Sequence, residues 1–194
     1  MIVGVLVGGR GSRLGGVSKG LLAAPSGNAT LVERLRAEVQ AAFTQPELVL
    51  VGAAEPYAKL GLSAVPDAPE GVGPLGGLGG LLAHAERRGA SAVLALACDL
   101  PYLERGLLAR LGREAPEARA LVVTDGAVRN PLIARYAVTE TAGAVQHVLA
   151  AGRRSLQAVL DELGSEVVTL ELSEAERATL RDWDTPEDIA RGAH

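Results

Sequence analysis

The sequence predicts an α/β fold, a three-layer, Rossmann-like arrangement in which helices cover a mostly parallel sheet. Short aliphatic runs alternate with amphipathic stretches along the 194 residues, which is the pattern of parallel strands joined by helices. Apolar residues make up 48% of the chain but aromatic residues only 3%, so the layers must be packed with aliphatic side chains. A glycine-rich segment directly follows the first aliphatic run, where open α/β sheets place their ligands.

The first half of the chain supplies three predicted strands and two helices. Residues 2–7 are a continuous apolar run that ends in two glycines, which predicts a buried strand. Thr30 and Glu33 have the spacing of a capping box, and the apolar residues behind them share one helical face up to residue 42. Further strands are predicted at 47–51 and 64–66, and a glycine-rich segment at 71–80 enters a helix that runs to about residue 88.

The second half continues the same alternation. A buried strand at 92–97 is stopped by Leu100-Pro101, and the capped start at Thr185-Pro186 predicts a last helix. No repeat, linker or low-complexity tract interrupts the chain, so residues 1–194 are assigned to a single domain. The other predicted elements are a helix near 104–113, strands near 120–123, 133–136 and 167–171, and helices at 139–151 and 155–163.

Composition and charge exclude several classes of partner. The net charge is −4 without a long basic run, and stacked aromatic platforms are lacking, so nucleic acid is a disfavoured ligand. The lone cysteine, Cys98, cannot form an internal disulfide, which fits a reducing compartment. There is neither a signal peptide nor an apolar run of the ~18 residues that a membrane span needs. We therefore expect a cytoplasmic protein that binds no membrane.

The first glycine-rich segment, residues 8–19, predicts a site for a triphosphate. Glycines let backbone amides approach an anion closely, and consecutive amides can form a concave nest for phosphate oxygens. Arg10, Arg13 and Lys19 add cationic donors to the same loop. A flexible surface loop with scattered charge is the alternative interpretation, and it is weakened by the position of the loop at the end of a strand.

The spacing of this loop argues against two familiar phosphate-binding motifs. A P-loop needs Gly-Lys-Ser/Thr after its glycines, but Lys19 lies between Ser18 and Gly20. A dinucleotide fingerprint that begins at Gly9 needs a small residue at position 14, where Leu14 stands. The loop is therefore a phosphate site of another kind.

Two aspartates follow predicted strands and are candidates for the same site. Asp99 comes after the strand at 92–97, where a carboxylate can bridge Mg²⁺ to phosphate oxygens, although a turn or cap also favours aspartate. Asp67 follows the short third strand and precedes the second glycine-rich segment. Those glycines permit close approach to a base or ribose, and a plain turn is nearly as good an interpretation.

These segments together resemble the molybdenum cofactor guanylyltransferases, the molybdopterin-guanine dinucleotide biosynthesis protein A family. Members usually read Leu-Ala-Gly-Gly, Arg-Met-Gly-Gly, an acidic residue and Lys, whereas this chain reads Leu6-Val7-Gly8-Gly9, Arg13-Leu14-Gly15-Gly16, Ser18 and Lys19. Cys98-Asp99-Leu100-Pro101 is similar to the family's Cys-Asp-x-Pro, and Asp67 matches its acid ahead of Gly-Pro-Leu. Gly52 stands where members often have an asparagine that lines the nucleotide site.

The resemblance implies a fold of the nucleotide-diphospho-sugar transferase type and a specific reaction. GMP would pass from GTP to molybdopterin, forming the guanine dinucleotide cofactor and releasing pyrophosphate. The family's roles then fall on Asp99, Lys19 and Arg13 as catalytic residues, with Mg²⁺ on Asp99. The nucleotide-binding residues would be Leu6, Val7, Gly8, Gly9, Lys19, Asp67 and Asp99.

The same resemblance marks a wall for the second substrate in the C-terminal half. Asn130 begins a segment similar to the family's turn and strand, and Asp184 stands in place of the first residue of an Asn-Thr-Pro-Glu signature. Arg153 and Arg154 could bind the terminal phosphate of the pterin, or could equally be a solvated helix end. Partner proteins of cofactor biosynthesis, or acceptor enzymes, are further expected contacts.

Two other function classes stay open. A nucleotidyltransferase of the same fold could use another nucleotide or acceptor, such as a sugar phosphate or, in the cytidylyltransferase acting on the same pterin, CTP. That sister group usually reads Leu-Ala-Ala-Gly, so Gly8-Gly9 favours guanine. A non-catalytic nucleotide-binding regulator is the other class, and the presence of both Lys19 and Asp99 argues against it.

Overall fold

Seven strands form one mixed sheet in the computed structural model, which describes residues 1–7, 18–25, 27–126, 128–183 and 188. The strands are β1 (Ile2–Leu6), β2 (Glu47–Val51), β3 (Ser63–Val65), β4 (Ala92–Ala97), β5 (Ala120–Asp125), β6 (Val128–Ala137) and β7 (Val167–Leu170). Their order across the sheet is β3-β2-β1-β4-β6-β5-β7. In this sheet β6 runs antiparallel to β4 and β5, and the other strands share one direction, which confirms the predicted mostly parallel sheet.

Helices cover both faces of the sheet and complete the predicted three layers. The helices of the described residues are α1 (Leu31–Ala42), α2 (Pro74–Arg87), α3 (Arg105–Arg113), α4 (Val138–Ala150), α5 (Leu156–Leu163) and the short α6 (Glu174–Ala178). One apolar cluster joins the sheet to α1 and α3, and a second joins the opposite face to α2, α4 and α5. In the part of the chain described, no helix has the length and apolar character needed to cross a membrane.

The capping box predicted at the start of α1 is present. The Thr30 hydroxyl accepts a hydrogen bond from the Glu33 amide at 3.2 Å, and the Glu33 carboxylate accepts one from the Thr30 amide at 2.8 Å. Both amides would otherwise lack partners in the first turn. Leu35 and Val39 then bury one face of the helix against the sheet.

The sequence missed or shortened several elements of the C-terminal half. β6 begins at Val128 rather than near 133, because it forms a hairpin with β5. α6 was not predicted, although Ser173 and Glu176 form a second capping box. In the N-terminal half, a 3-10 helix at Glu55–Leu60 was also unassigned. The helix start predicted at 185–188 lies outside the described residues except for Asp188, which is helical.

Thr30→Ala should lower the free energy of unfolding by about 1 kcal/mol, because the first turn of a long, buried helix loses its side-chain acceptor. Ser173→Ala removes the equivalent acceptor from the five-residue α6 and is the matched control. Urea unfolding followed by circular dichroism measures both. A larger loss of free energy of unfolding in Ser173→Ala than in Thr30→Ala would contradict the expectation that the cap of α1 contributes more to stability.

Candidate active site

The predicted site lies along the edge of the sheet where the parallel strands end. β1 pairs in register with β2 on one side and with β4 on the other, so Leu6 stands opposite Val51 and Ala97. β3 pairs with β2 in the same direction. Because all four strands point the same way, the residues that follow them meet at one edge, which is where α/β sheets bind ligands. Asp67 and Asp99 are among those residues.

An ion pair joins two of the predicted catalytic residues at this edge. The Lys19 Nζ lies 2.9 Å from the Asp99 Oδ2, and the two side chains are 22% and 17% exposed. Lys19 begins a 3-10 turn, Lys19–Leu21, in which the Leu21 amide donates to the Ser18 carbonyl at 2.9 Å. A contact across 80 residues of chain therefore brings one positive and one negative charge together in a partly buried position.

The backbone of Asp99 is held from the C-terminal end of the chain. The Trp183 amide donates to the Asp99 carbonyl at 3.1 Å. The Trp183 side chain is buried and meets the ring of Tyr102 edge to face with 6.3 Å between centroids. No local signal in the sequence links Trp183 to Asp99.

Cys98 is buried directly before Asp99. Burial, aided by the negative charge of Asp99, raises the pKa of the thiol to about 12. Because a thiolate is the nucleophilic form of cysteine, this environment keeps Cys98 inert near neutral pH. It packs beneath the site as a small apolar side chain.

Asp67 is brought beside the end of β1 by the N-terminal part of α2. A Cβ on Gly77 would lie 3.0 Å from the Leu6 Cδ2 and 3.5 Å from the Asp67 Oδ1, so this glycine is in contact with both side chains. Burial and the nearby carboxylate of Glu70 raise the pKa of Asp67 above its ordinary value. The carboxylate is therefore partly desolvated.

The glycines of α2 allow the chain that carries Asp67 to cross the helix closely. A Cβ on Gly76, Gly79 or Gly80 would overlap backbone carbonyl oxygens of the segment 66–69. The Ala68 amide also donates to the Gly76 carbonyl at 2.8 Å. The sequence offered close approach to a base or a plain turn at this segment, and the structure shows that these three glycines pack against backbone. This packing holds the segment that carries Asp67 close to α2.

Asn130 and Arg153, two of the residues predicted for the second substrate, lie at the same edge, farther along the sheet. The Asn130 Oδ1 accepts a hydrogen bond from the Leu132 amide at 3.0 Å near the start of β6. The Arg153 guanidinium approaches Asp161 at 3.5 Å, and the same carboxylate pairs with Arg129 at 2.5 Å. Arg154 is exposed. Sequence reasoning missed Arg129, although it directly precedes Asn130.

Four predicted site residues, Gly8, Gly9, Arg13 and Asp184, lie outside the described residues, and their roles stay predictions. Leu6 and Val7 are described, and both side chains are buried. The Val7 amide donates to the Val51 carbonyl at 2.9 Å, which extends the pairing of β1 and β2 by one residue.

The side chains that could act as metal ligands near Asp99 indicate which kind of metal site is possible there. Among the described residues, no group of three or more His, Cys, Asp or Glu side chains comes together. Mg²⁺ commonly takes one or two protein carboxylates and completes its octahedron with water and substrate phosphates. Asp99 thus fits a Mg²⁺ ion that is bound together with a polyphosphate, and does not fit an all-protein metal cage.

Comparison with known proteins identifies related sequences. The model of one family, described as the MobA-like NTP transferase domain, matches residues 3–167. A probable molybdenum cofactor guanylyltransferase from Mycobacterium tuberculosis is 31% identical over 160 residues, which cover 82% of this chain and 79% of that protein. A protein of the same name from Mycobacterium marinum is 29% identical over 188 residues, covering 97% and 91%.

Two solved structures share the fold. Molybdopterin-guanine dinucleotide biosynthesis protein A from Archaeoglobus fulgidus superposes with a TM-score of 0.77 at 24% identity, covering 100% of this chain and 97% of that one. The 2-C-methyl-D-erythritol 4-phosphate cytidylyltransferase from Thermus thermophilus gives 0.68 at 18% identity, covering 100% and 96%. These likenesses confirm the predicted nucleotide-diphospho-sugar transferase type of fold.

Asp67→Asn should stabilise the protein at pH 7. Since the folded-state pKa of Asp67 is raised, the ionised group destabilises the fold, and this penalty grows as pH rises through that pKa. The gain should disappear at about pH 3, where aspartate is protonated in both the folded and the unfolded states. Urea midpoints at the two pH values measure the difference.

Glu47→Gln is the control of opposite sign. A hydrogen bond with His84, supported by Arg88, lowers the pKa of Glu47. Its ionised form therefore stabilises the fold above the ordinary pKa of glutamate, and the variant should be less stable at pH 7 but not at low pH. If both variants shift the urea midpoint in the same direction at pH 7, the opposite pKa shifts given for Asp67 and Glu47 are wrong.

Proposed function

Because the chain belongs to the family of MobA-like NTP transferase domains, we propose that it transfers GMP from GTP to molybdopterin and releases pyrophosphate. The chain is a nucleotidyltransferase. The observation that carries the proposal is the Lys19–Asp99 pair, which joins the turn at Lys19–Leu21 to the end of β4 and brings a cation next to a possible metal ligand.

The reaction needs charge neutralisation more than proton transfer. A terminal phosphate oxygen of molybdopterin attacks the α-phosphorus of GTP, the bond from that phosphorus to the bridging oxygen breaks, and pyrophosphate leaves with the electron pair. The attacking oxygen is already anionic near neutral pH, so no general base is required. Positioning and electrostatic stabilisation are the main sources of rate in such transfers.

Lys19 and Asp99 would have different roles in neutralising charge on the phosphates. Lys19 neutralises the phosphates that become pyrophosphate, helped by Arg13 of the glycine-rich loop. Asp99 holds Mg²⁺, which when bound supplies positive charge at the phosphate oxygens. In the free protein Lys19 is paired with Asp99, so an arriving polyphosphate offers this cation a second anionic partner.

Nucleotide recognition would use the neighbouring strand ends. Asp67 contacts the nucleotide from the end of β3, close to Leu6 and Gly77. The backbone of Leu6, Val7, Gly8 and Gly9 leads into the phosphate loop. Gly8-Gly9 favours guanine, as argued from the sequence. Gly52, with φ of 99°, adopts a left-handed conformation where the family often has asparagine.

The pterin would lie toward β6 and the turn between α4 and α5. Asn130 and Arg153 are placed there with Arg129 and Asp161, and planar guanidinium groups bind phosphate in a bidentate manner. Arg154 and Asp184 complete the proposed wall. We place the reaction in the cytoplasm, with other proteins of cofactor biosynthesis or acceptor enzymes as partners.

One assay tests the reaction and the base together. Pyrophosphate release is measured with GTP, CTP or ATP, with and without Mg²⁺ and with and without molybdopterin. Release that requires GTP, Mg²⁺ and molybdopterin together is expected. A preference for CTP would assign the chain to the cytidylyltransferase alternative, and no release with any nucleotide would overturn the proposal.

Asp99→Asn should slow pyrophosphate release by on the order of a hundredfold, because an amide carries no charge for Mg²⁺ while its size preserves the fold. Lys19→Ala should raise the KM for GTP and slow turnover on a similar scale. Glu114→Gln, which loses a surface pair with Arg110, is the control and should turn over normally. Near-normal turnover of both site variants would refute their roles.

A further inference from the structure

Tyr57 lies directly beneath the turn that presents Lys19. It comes from the 3-10 helix Glu55–Leu60, which follows β2, and the side chain is only 2% exposed. A tyrosine in an irregular segment carries no local sequence signal of a role. Its position becomes apparent only when the turn packs against β2 and α1.

The contact between Tyr57 and the turn is made at Gly20. A Cβ on Gly20 would lie 2.9 Å from the Tyr57 Cε1, 3.0 Å from the Tyr57 hydroxyl oxygen and 2.6 Å from the Val32 Cγ2. Only a glycine fits without displacing these neighbours. The backbone on either side of Gly20, and with it Lys19, therefore rests on the ring of Tyr57.

The Tyr57 hydroxyl is buried and makes no hydrogen bond of ordinary length among the described residues. The Gly20 backbone lies beside it, since a Cβ on Gly20 would be 3.0 Å from the hydroxyl oxygen. Burial dominates in raising the pKa of the phenol to about 12, and the Gly20 backbone and the Ser18 side chain act in the opposite direction. The group is therefore a neutral hydroxyl near pH 7. A buried hydroxyl without a partner destabilises a folded protein, and so the bond that it lacks calls for an explanation.

We propose that Tyr57 is a positioning residue for Lys19, whose hydroxyl forms a hydrogen bond with the Ser18–Gly20 backbone or the Ser18 side chain when polyphosphate draws Lys19 from Asp99. In this proposal the turn that carries Lys19 shifts as Lys19 exchanges one anion for another. The hydroxyl lies next to that turn, so a small shift brings a partner within bonding distance. The inference rests on the proposed function only in taking polyphosphate as the ligand.

A hydrogen bond that Tyr57 makes only when polyphosphate is bound would affect affinity and stability differently. It contributes to the affinity for polyphosphate but not to the stability of the free protein. Tyr57→Phe should therefore leave the Tm of the free protein unchanged or raise it, while weakening polyphosphate binding about two- to tenfold. A residue with a merely structural role would show the reverse, a lower Tm with unchanged affinity.

Thr141 provides a matched control elsewhere in the fold. Its hydroxyl is also fully buried and without a partner among the described residues, but it lies on α4, in the layer that faces away from Lys19. Thr141→Val removes that hydroxyl with little change of shape. The Tm should again be unchanged or higher, and polyphosphate affinity should equal that of the wild type.

Inorganic triphosphate with Mg²⁺ is the probe, because it carries the phosphates without a base. Isothermal titration calorimetry measures its affinity for the wild type, Tyr57→Phe and Thr141→Val, and scanning calorimetry measures each Tm. Loss of affinity confined to Tyr57→Phe is expected. Equal affinity in Tyr57→Phe and wild type, equal losses in both variants, or no binding to the wild type would each overturn the inference.

The effect of Tyr57 on the Lys19 side chain can be observed directly, because the chain contains few lysines. The sequence contains two lysines, Lys19 and the exposed Lys59, so selective ¹³C labelling at Cε gives two assignable signals in NMR spectra. Saturating triphosphate should shift the Lys19 signal in the wild type and leave Lys59 in place. In Tyr57→Phe the saturated Lys19 signal should differ from that of the wild type, and an identical signal would overturn a role through Lys19.

Failure of the two proposals can be told apart. If GTP and molybdopterin yield no pyrophosphate while triphosphate binding still depends on Tyr57, the proposed reaction fails and the positioning role stands. If turnover proceeds with GTP but Tyr57→Phe binds triphosphate as the wild type does, the reaction stands and the positioning role is wrong.

Discussion

The site depends on the ion pair between Lys19 and Asp99, which connects the segment after β1 to the end of β4. Their contact requires β1 and β4 to be adjacent and in register, with Leu6 opposite Ala97. At 22% and 17% exposure the pair is screened less than a surface salt bridge, so each charge acts strongly on its neighbours. The same property makes the pair suitable for exchange with a polyphosphate.

The surroundings of the pair fix its position from several directions. Tyr57 supports the turn that carries Lys19, and the Trp183 amide holds the backbone of Asp99. On the far side of β1, the glycines of α2 let the chain bearing Asp67 cross the helix closely. Preorganised charges of this kind need little rearrangement when charge develops on a phosphate, which is how electrostatic catalysis operates.

The sequence was a good guide wherever local pattern and structure coincide. The strands at 47–51 and 92–97 match β2 and β4 residue for residue, and the capping box at Thr30 starts α1. β6 was predicted too short because its first residues take their strand conformation from pairing with β5. The second capping box, at Ser173, shows that α6 was within reach of the same rule and was overlooked.

For the site, the sequence by itself determined the chemical types of the groups and the edge of the sheet at which they lie. Asp67 and Asp99 could be chosen because each follows a strand, and Lys19 because it belongs to the glycine-rich loop after the first strand; parallel strands end together. Only the tertiary structure decided that Lys19 pairs with Asp99, that α2 glycines seat Asp67, and that Tyr57 and Trp183 support the pair. Those contacts join residues far apart in the chain, and their geometry is set by how the layers pack, which local sequence patterns do not encode.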